Sequence, residues 1–217
     1  MVTRSDGRPG DLRSCLDSLI RSSYRKTEIL VVANPVHRAT ADIVRSYARW
    51  DPRIGITKPS AGISGDRRPT SPNGRYLMVV EVTDRLEKGA VARLVKVLRL
   101  TASDFAVGSI GDGSANTWGL PAEASGHGED RLGLTRDASP DGPTLDGMAG
   151  KLFRLDFLTG LAWTLDAALS IDERDLMDRA YRSGHFDLLN QPVGWRQRAE
   201  VSDSASRSGS ATDVTTT

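Results

Sequence analysis

The sequence predicts an α/β protein with a mainly parallel central sheet flanked by helices. Three observations carry that expectation: short runs of aliphatic, largely β-branched residues, amphipathic segments of helical period, and a regular alternation of the two through the first half of the chain. Alternation of this kind implies right-handed crossovers and a sheet covered on both faces.

Leu12, Cys15, Leu16, Leu19 and Ile20 keep the i, i+3, i+4, i+7 spacing, so residues 11–22 are expected as a helix with one apolar face. Cys15 falls on that stripe and reads as core; as the single cysteine it leaves no internal disulfide. Residues 28–32 end in ILVV and read as a buried strand. Residues 40–50 place Ile43, Val44, Tyr47 and Ala48 on one helical face, closed by Asp51-Pro52. A short strand near 54–57 follows, then a loop over 58–74 rich in Pro, Gly and Ser. Residues 76–82 make the strongest strand pattern in the chain, 89–100 a helix with Val91, Leu94, Val95 and Leu98 inward, and 105–109 another strand. Only residues 1–3 remain for a strand ahead of the first helix, where such a sheet normally opens with a full one. A start of the reading frame other than the native one would account for that shortfall.

Residues 110–146 are dominated by Gly, Asp, Ser and Pro and show little periodicity, as a functional or disordered loop does. Beyond them are expected a helical segment over 151–158, a helix over 173–183, a strand near 186–189 and a closing WRQR. The organisation is therefore a first half, 1–115, an irregular loop, 116–146, a shorter second half, 147–199, and a tail, 200–217. The tail is Ser, Thr, Ala and Asp with no large hydrophobe except Val. It cannot bury enough surface to offset ordering, and is expected to be disordered.

Composition excludes several classes. At 217 residues, 38% apolar and 26% charged, the chain can build one core with some length left outside it. A formal net charge of +1 gives the whole molecule no field that would steer it to nucleic acid. No stretch approaches the ~20 apolar residues of a membrane span, and residues 1–9 lack a signal-peptide core. The expected location is the cytoplasm, free or peripheral to a membrane. His37, His127 and His185 share no metal-ligand spacing, so zinc is not expected. No G-x-G-x-x-G follows a strand, which argues against a dinucleotide-binding domain.

The order of segments is similar to that of family 2 glycosyltransferases with the type A, Rossmann-like fold. Residues 12–19 (LRSCLDSL), 28–32 (EILVV), 40–54 (TADIVRSYARWDPRI) and 74–94 (GRYLMVVEVTDRLEKGAVARL) resemble the nucleotide-binding half, which here would be 1–115. Residues 150–158 (GKLFRLDFL), 173–181 (ERDLMDRAY) and 192–198 (PVGWRQR) resemble the acceptor-side half, 147–199. The resemblance implies transfer of a sugar from a nucleotide-sugar donor to a bacterial cell-surface polymer or similar acceptor. It also implies a divalent cation, Mn or Mg, held by an Asp-x-Asp motif against the diphosphate, and a carboxylate that takes the acceptor's proton.

Several of the implied positions are replaced. The family's Asp-Asp pair after the second strand is Ala33-Asn34, in which Asn34 keeps hydrogen-bonding groups without the charge. The Asp-x-Asp motif is Glu81-Val82-Thr83-Asp84, leaving Glu81 and Asp84 as metal candidates with weak or absent binding expected. Read without the resemblance, the same two residues end a strand and begin a turn. The catalytic Glu-Asp pair is Glu173-Arg174 with Asp175 next; Arg174 cannot accept a proton, so Glu173 and Asp175 are the candidates for the base. Acids at a helix N-terminus also favour the macrodipole, which is the plainer account of both. Arg67, Trp195, Arg196 and Arg198 match donor-binding positions, with Lys151 and Arg154 in a basic acceptor-side segment; each equally suits a solvated surface. Two functions remain: a weak glycosyltransferase with a shifted, metal-poor site, in which Arg67, Arg196 or Arg198 offsets diphosphate charge, or an inactive relative that binds a nucleotide or a protein partner.

Overall fold

The computed structural model describes residues 2–4, 8–32, 37–57, 73–111, 117–118, 129–140, 147–163 and 173–196. The tail 200–217, most of the 116–146 loop, and Asn34, Arg67 and Arg198 lie outside the described residues.

The elements run β1 (Val2–Arg4), α1 (Pro9–Ile20), β2 (Ile29–Val32), α2 (Arg38–Ala48), β3 (Ile54–Thr57), β4 (Tyr76–Val80), β5 (Asp84–Leu86), α3 (Ala90–Thr101), β6 (Phe105–Gly111), β7 (Thr117–Trp118), β8 (Arg131–Leu134), β9 (Lys151–Arg154), α4 (Leu155–Gly160), α5 (Glu173–Ser183) and β10 (Phe186–Arg196). They form one sheet in the order β3-β2-β1-β4-β9-β6-β10-β5, with β7 on β6 and β8 on β10. The sheet is mostly but not purely parallel. β1 pairs parallel with β2 and β4, β2 with β3, and β6 with β10. β9 is antiparallel to both β4 and β6. Short as it is, β1 sits in the middle of the sheet rather than at its edge, with Val2 opposite Leu30 on one side and Val79 on the other.

Helices cover both faces, each over its own core. Leu12, Cys15, Leu16 and Leu19 of α1, Ile43 and Val44 of α2, and Val91, Leu94 and Leu98 of α3 pack with Ile29, Val31, Met78 and Val80 on one face. On the other, Leu158 of α4 and Leu176, Met177, Ala180 and Tyr181 of α5 close over an aromatic stack. There Phe105 lies 5.3 Å from Phe153 and 5.4 Å from Phe186, centroid to centroid. Such stacked rings combine large buried area with favourable quadrupole geometry.

Three expectations need correction. Residues 151–158 were expected as one helix, but the first four form β9 and only Leu155–Gly160 are helical. Leu152 and Phe153 are both buried, one in each core, because a strand covered on both faces is apolar at successive positions and carries no period-2 signal. The strand expected over 76–82 stops at Val80; residues 81–83 turn, with the Asp84 N–H donating to the Glu81 carbonyl at 2.9 Å, and Asp84 opens β5. The strand expected near 186–189 runs on to Arg196 through irregularities between Leu189 and Pro192 and between Pro192 and Gly194. Pro192, lacking an N–H, belongs at such a break.

The bend in β10 shapes the rest. It keeps Gly194 and Trp195 alongside the carboxyl end of β6 and sets residues 194–196 in antiparallel register with β5, Arg196 opposite Asp84. Gly194 permits the crossing, since a Cβ there would run into the Arg85 carbonyl oxygen.

Candidate active site

Asp84 is the centre of the candidate site. It lies just beyond the carboxyl end of β4, is fully buried, and faces Arg196 as its direct cross-strand partner. Arg196 donates from Nε to Asp84 Oδ1 at 2.7 Å and from Nη2 to Oδ2 at 3.2 Å, a two-point charge-assisted pairing. Asp84 Oδ2 also accepts the backbone N–H of Glu81 at 3.1 Å. Arg196 is held above its ordinary guanidinium value, first by the hydrogen bond to Asp84 and further by the charges of Asp84, Glu81 and Glu173, while burial opposes the shift. Asp84 alone is in contact with the guanidinium, while Glu81 from the turn after β4 and Glu173 from α5 act on it electrostatically.

Glu173 reaches this group from the first turn of α5. Its Oε2 accepts the Met148 N–H at 3.1 Å. The contact depends on Gly147, whose φ of +144° is strained for a side chain and whose Cβ would stand 2.7 Å from that oxygen. Beneath the same loop Lys151, only 2% exposed, donates from Nζ to the carbonyls of Gly147 at 2.7 Å and Ala149 at 3.3 Å. Lys151 thus braces the loop that carries Glu173's partner, and Arg154 pairs with Asp156 on the surface at 3.1 Å.

The other candidates stand apart. Asp175 follows Glu173 by two residues, about 200° around the helix, and pairs on the surface with Arg179 at 3.1 Å. Trp195 is 51% exposed and, adjacent to Arg196 in a strand, projects from the opposite face of the sheet. Asp84 and Arg196 are therefore in direct contact, with the Glu81 backbone on Asp84 and Glu173 acting electrostatically on Arg196, while Asp175 and Trp195 lie outside that group. Sequence reasoning missed Gly147, Met148 and the buried role of Lys151; a lysine next to Leu-Phe in a strand covered on both faces was the available signal.

The donor set does not fit a resident divalent cation. Such an ion needs anionic oxygens converging at about 2.0–2.6 Å, yet both oxygens of Asp84 already have hydrogen-bond donors and Thr83 brings no charge. Among the described residues no group of three or more His, Cys, Asp or Glu is arranged to hold a metal.

The fold is that of family 2 glycosyltransferase-like proteins, and the group described above lies at the carboxyl ends of β4, β6 and β10. No family model matches the chain. Among curated proteins, glycosyltransferase GlyA of Streptococcus pneumoniae is 35% identical over 101 residues, 45% of this chain and 14% of that one. Among solved structures, S. aureus TarS 1-349 in complex with UDP-GlcNAc superposes with a TM-score of 0.68 at 16% identity, over 92% of this chain and 58% of that one. Its complex with UDP gives 0.67 at 13% identity, over 91% and 60%. A mannosyltransferase from Pyrobaculum calidifontis in complex with GDP-Man and Mn2+ gives 0.51 at 14% identity, over 94% and 57%. The chain thus spans less than two thirds of each of these relatives. Among the described residues no helix is long and apolar enough to cross a membrane.

Proposed function

We propose that this chain binds a nucleoside diphosphate sugar at the carboxyl ends of β4, β6 and β10, and transfers the sugar slowly to a glycan or cell-surface polymer. The observation that carries this reading is the Asp84–Arg196 pair at the carboxyl end of the sheet, with Glu173 of α5 acting electrostatically on the same guanidinium. In a fold shared with proteins crystallised with UDP, UDP-GlcNAc and GDP-Man, that is where an open α/β sheet presents its ligand. Glu173 is the group with the chemistry to accept a hydroxyl proton from the acceptor side, and Arg196 the group to meet the diphosphate. Slow turnover follows from the engagement of Glu173 Oε2 with Met148 and from Arg174 standing where a second carboxylate would serve.

That same engagement favours a second reading, a nucleotide-binding protein without turnover. The two separate on hydrolysis of UDP-GlcNAc and GDP-mannose by the wild type and by Glu173→Gln. Slow release of the nucleoside diphosphate, lost about tenfold or more in the variant with donor binding unchanged, is the expected result. Binding without any release in either protein would replace the transferase reading with the binding one.

A further inference from the structure

The positive charge at this site belongs to the protein. Arg196 offers Asp84 its Nε and Nη2 edge, so Nη1 remains on the outer side of the guanidinium. The Arg196 side chain is 31% exposed and that of Asp84 not at all. The carboxylate is therefore a buried anchor, while the cation it holds is open to a ligand. A guanidinium fixed by a carboxylate needs no reorientation when an anion arrives, which is the geometry of preorganised phosphate recognition. A divalent cation recruited to Asp84 would first have to displace Arg196 from a buried pair, and Glu81 and Glu173 already act electrostatically on that guanidinium.

We infer that Arg196, anchored by Asp84, stands in for the divalent cation, so that a nucleoside diphosphate binds here without metal. This rests on the reading of the site as a nucleotide-sugar site. The inference concerns binding and positioning by Arg196, and is independent of whether Glu173 supports turnover.

Two measurements on the full chain test it. Calorimetry with UDP and with GDP, in EDTA and then in Mn2+, should give the same Kd within about twofold, and Arg196→Ala should weaken binding at least tenfold, about 1.4 kcal/mol. Tightening by tenfold or more on adding Mn2+ to the wild type would overturn the inference while leaving the nucleotide-sugar reading intact. Absence of binding by either nucleotide, with or without metal, would sink both. Electron paramagnetic resonance with Mn2+ alone separates the two further, because it needs no nucleotide. The wild type should hold no Mn2+ at stoichiometric concentration, and Arg196→Ala, which uncovers Asp84 beside Glu81, should hold more. A stoichiometric Mn2+ site in the wild type would overturn the inference directly. Should Arg196→Ala fail to fold by circular dichroism, Arg196→Gln keeps a hydrogen-bond donor toward Asp84, lacks the charge, and carries the same comparison.

Discussion

Asp84 and Arg196 stand opposite each other in the β5–β10 ladder, 112 residues apart in the chain, with the carboxylate wholly buried and bound at both oxygens by the guanidinium. The pair ties the turn after β4 to the end of the last described strand. It also leaves neither oxygen of that carboxylate without a hydrogen-bond donor.

Removing one member of a buried ion pair leaves the other charged and unpaired, at a cost of about 3–5 kcal/mol. Arg196 is partly exposed, which discounts that figure. Arg196→Ala is expected to destabilise by about 2–4 kcal/mol in chemical denaturation, and adding Asp84→Asn should recover part of the loss. A loss below about 1 kcal/mol, with no coupling in the double variant, would show that the pair does not fix this corner.

Gly147→Ala should act on the site through the backbone. The new methyl meets Glu173 Oε2 at a positive φ that only glycine adopts freely. The expected stability loss is about 1–3 kcal/mol. Any slow donor hydrolysis should fall while UDP binding holds, since Arg196 is on a different strand. Equal loss of both would mean that the loop supports the whole cleft rather than Glu173.

Lys151→Met tests the brace under that loop. The replacement has similar length and is apolar, so it fills the same buried space, but the carbonyls of Gly147 and Ala149 lose a charged donor. Buried acceptors left unsatisfied cost about 1–3 kcal/mol, and a loss of that size is expected in urea melts. A neutral or stabilising result would show that desolvation of the ammonium outweighs its hydrogen bonds.

Tyr47 reports on the contact between α1 and α2. Its hydroxyl donates to Asp17 Oδ1 at 2.8 Å, with the Arg13 carbonyl as a second acceptor within reach at 3.3 Å. Burial, then the hydrogen bond to Asp17, pushes the phenol from 10.0 up to about 12. A folded value above the unfolded one favours the neutral form, so this contribution is whole below pH 10 and is lost as pH rises through about 12. An ultraviolet titration should show a late ionisation step for Tyr47, and Tyr47→Phe should remove it. Persistence of the late step would assign it elsewhere.

The chain's own pattern was enough for the fold class and for most elements. Leu12, Cys15, Leu16 and Leu19 in α1 and the stripe Val91, Leu94, Val95, Leu98 in α3 repeat at the helical period and fill one core with Ile29 and Val31, while Leu30 and Val32 of β2 pack in the other. Burial and period are local properties, so residues close in sequence report them. β9 escaped because burial on both faces erases the alternation that identifies a strand. The turn after Val80 escaped because Val82, inside it, is itself apolar and buried and so continues the pattern of the strand.

Site chemistry was legible only as types of residue. Glu81, Asp84, Glu173 and Arg196 could each be named from the sequence, but nothing local told Asp84's partner from a metal, or separated Glu173 from Asp175. The bend of β10 at Pro192 and Gly194 brings Arg196 onto Asp84, and the helical rotation between residues 173 and 175 turns one acid toward the Met148 N–H and the other to the surface beside Arg179. Sequence determined which charges the protein has; which of them meet was decided by the tertiary fold, because charges far apart in the chain interact only after the sheet has closed between them.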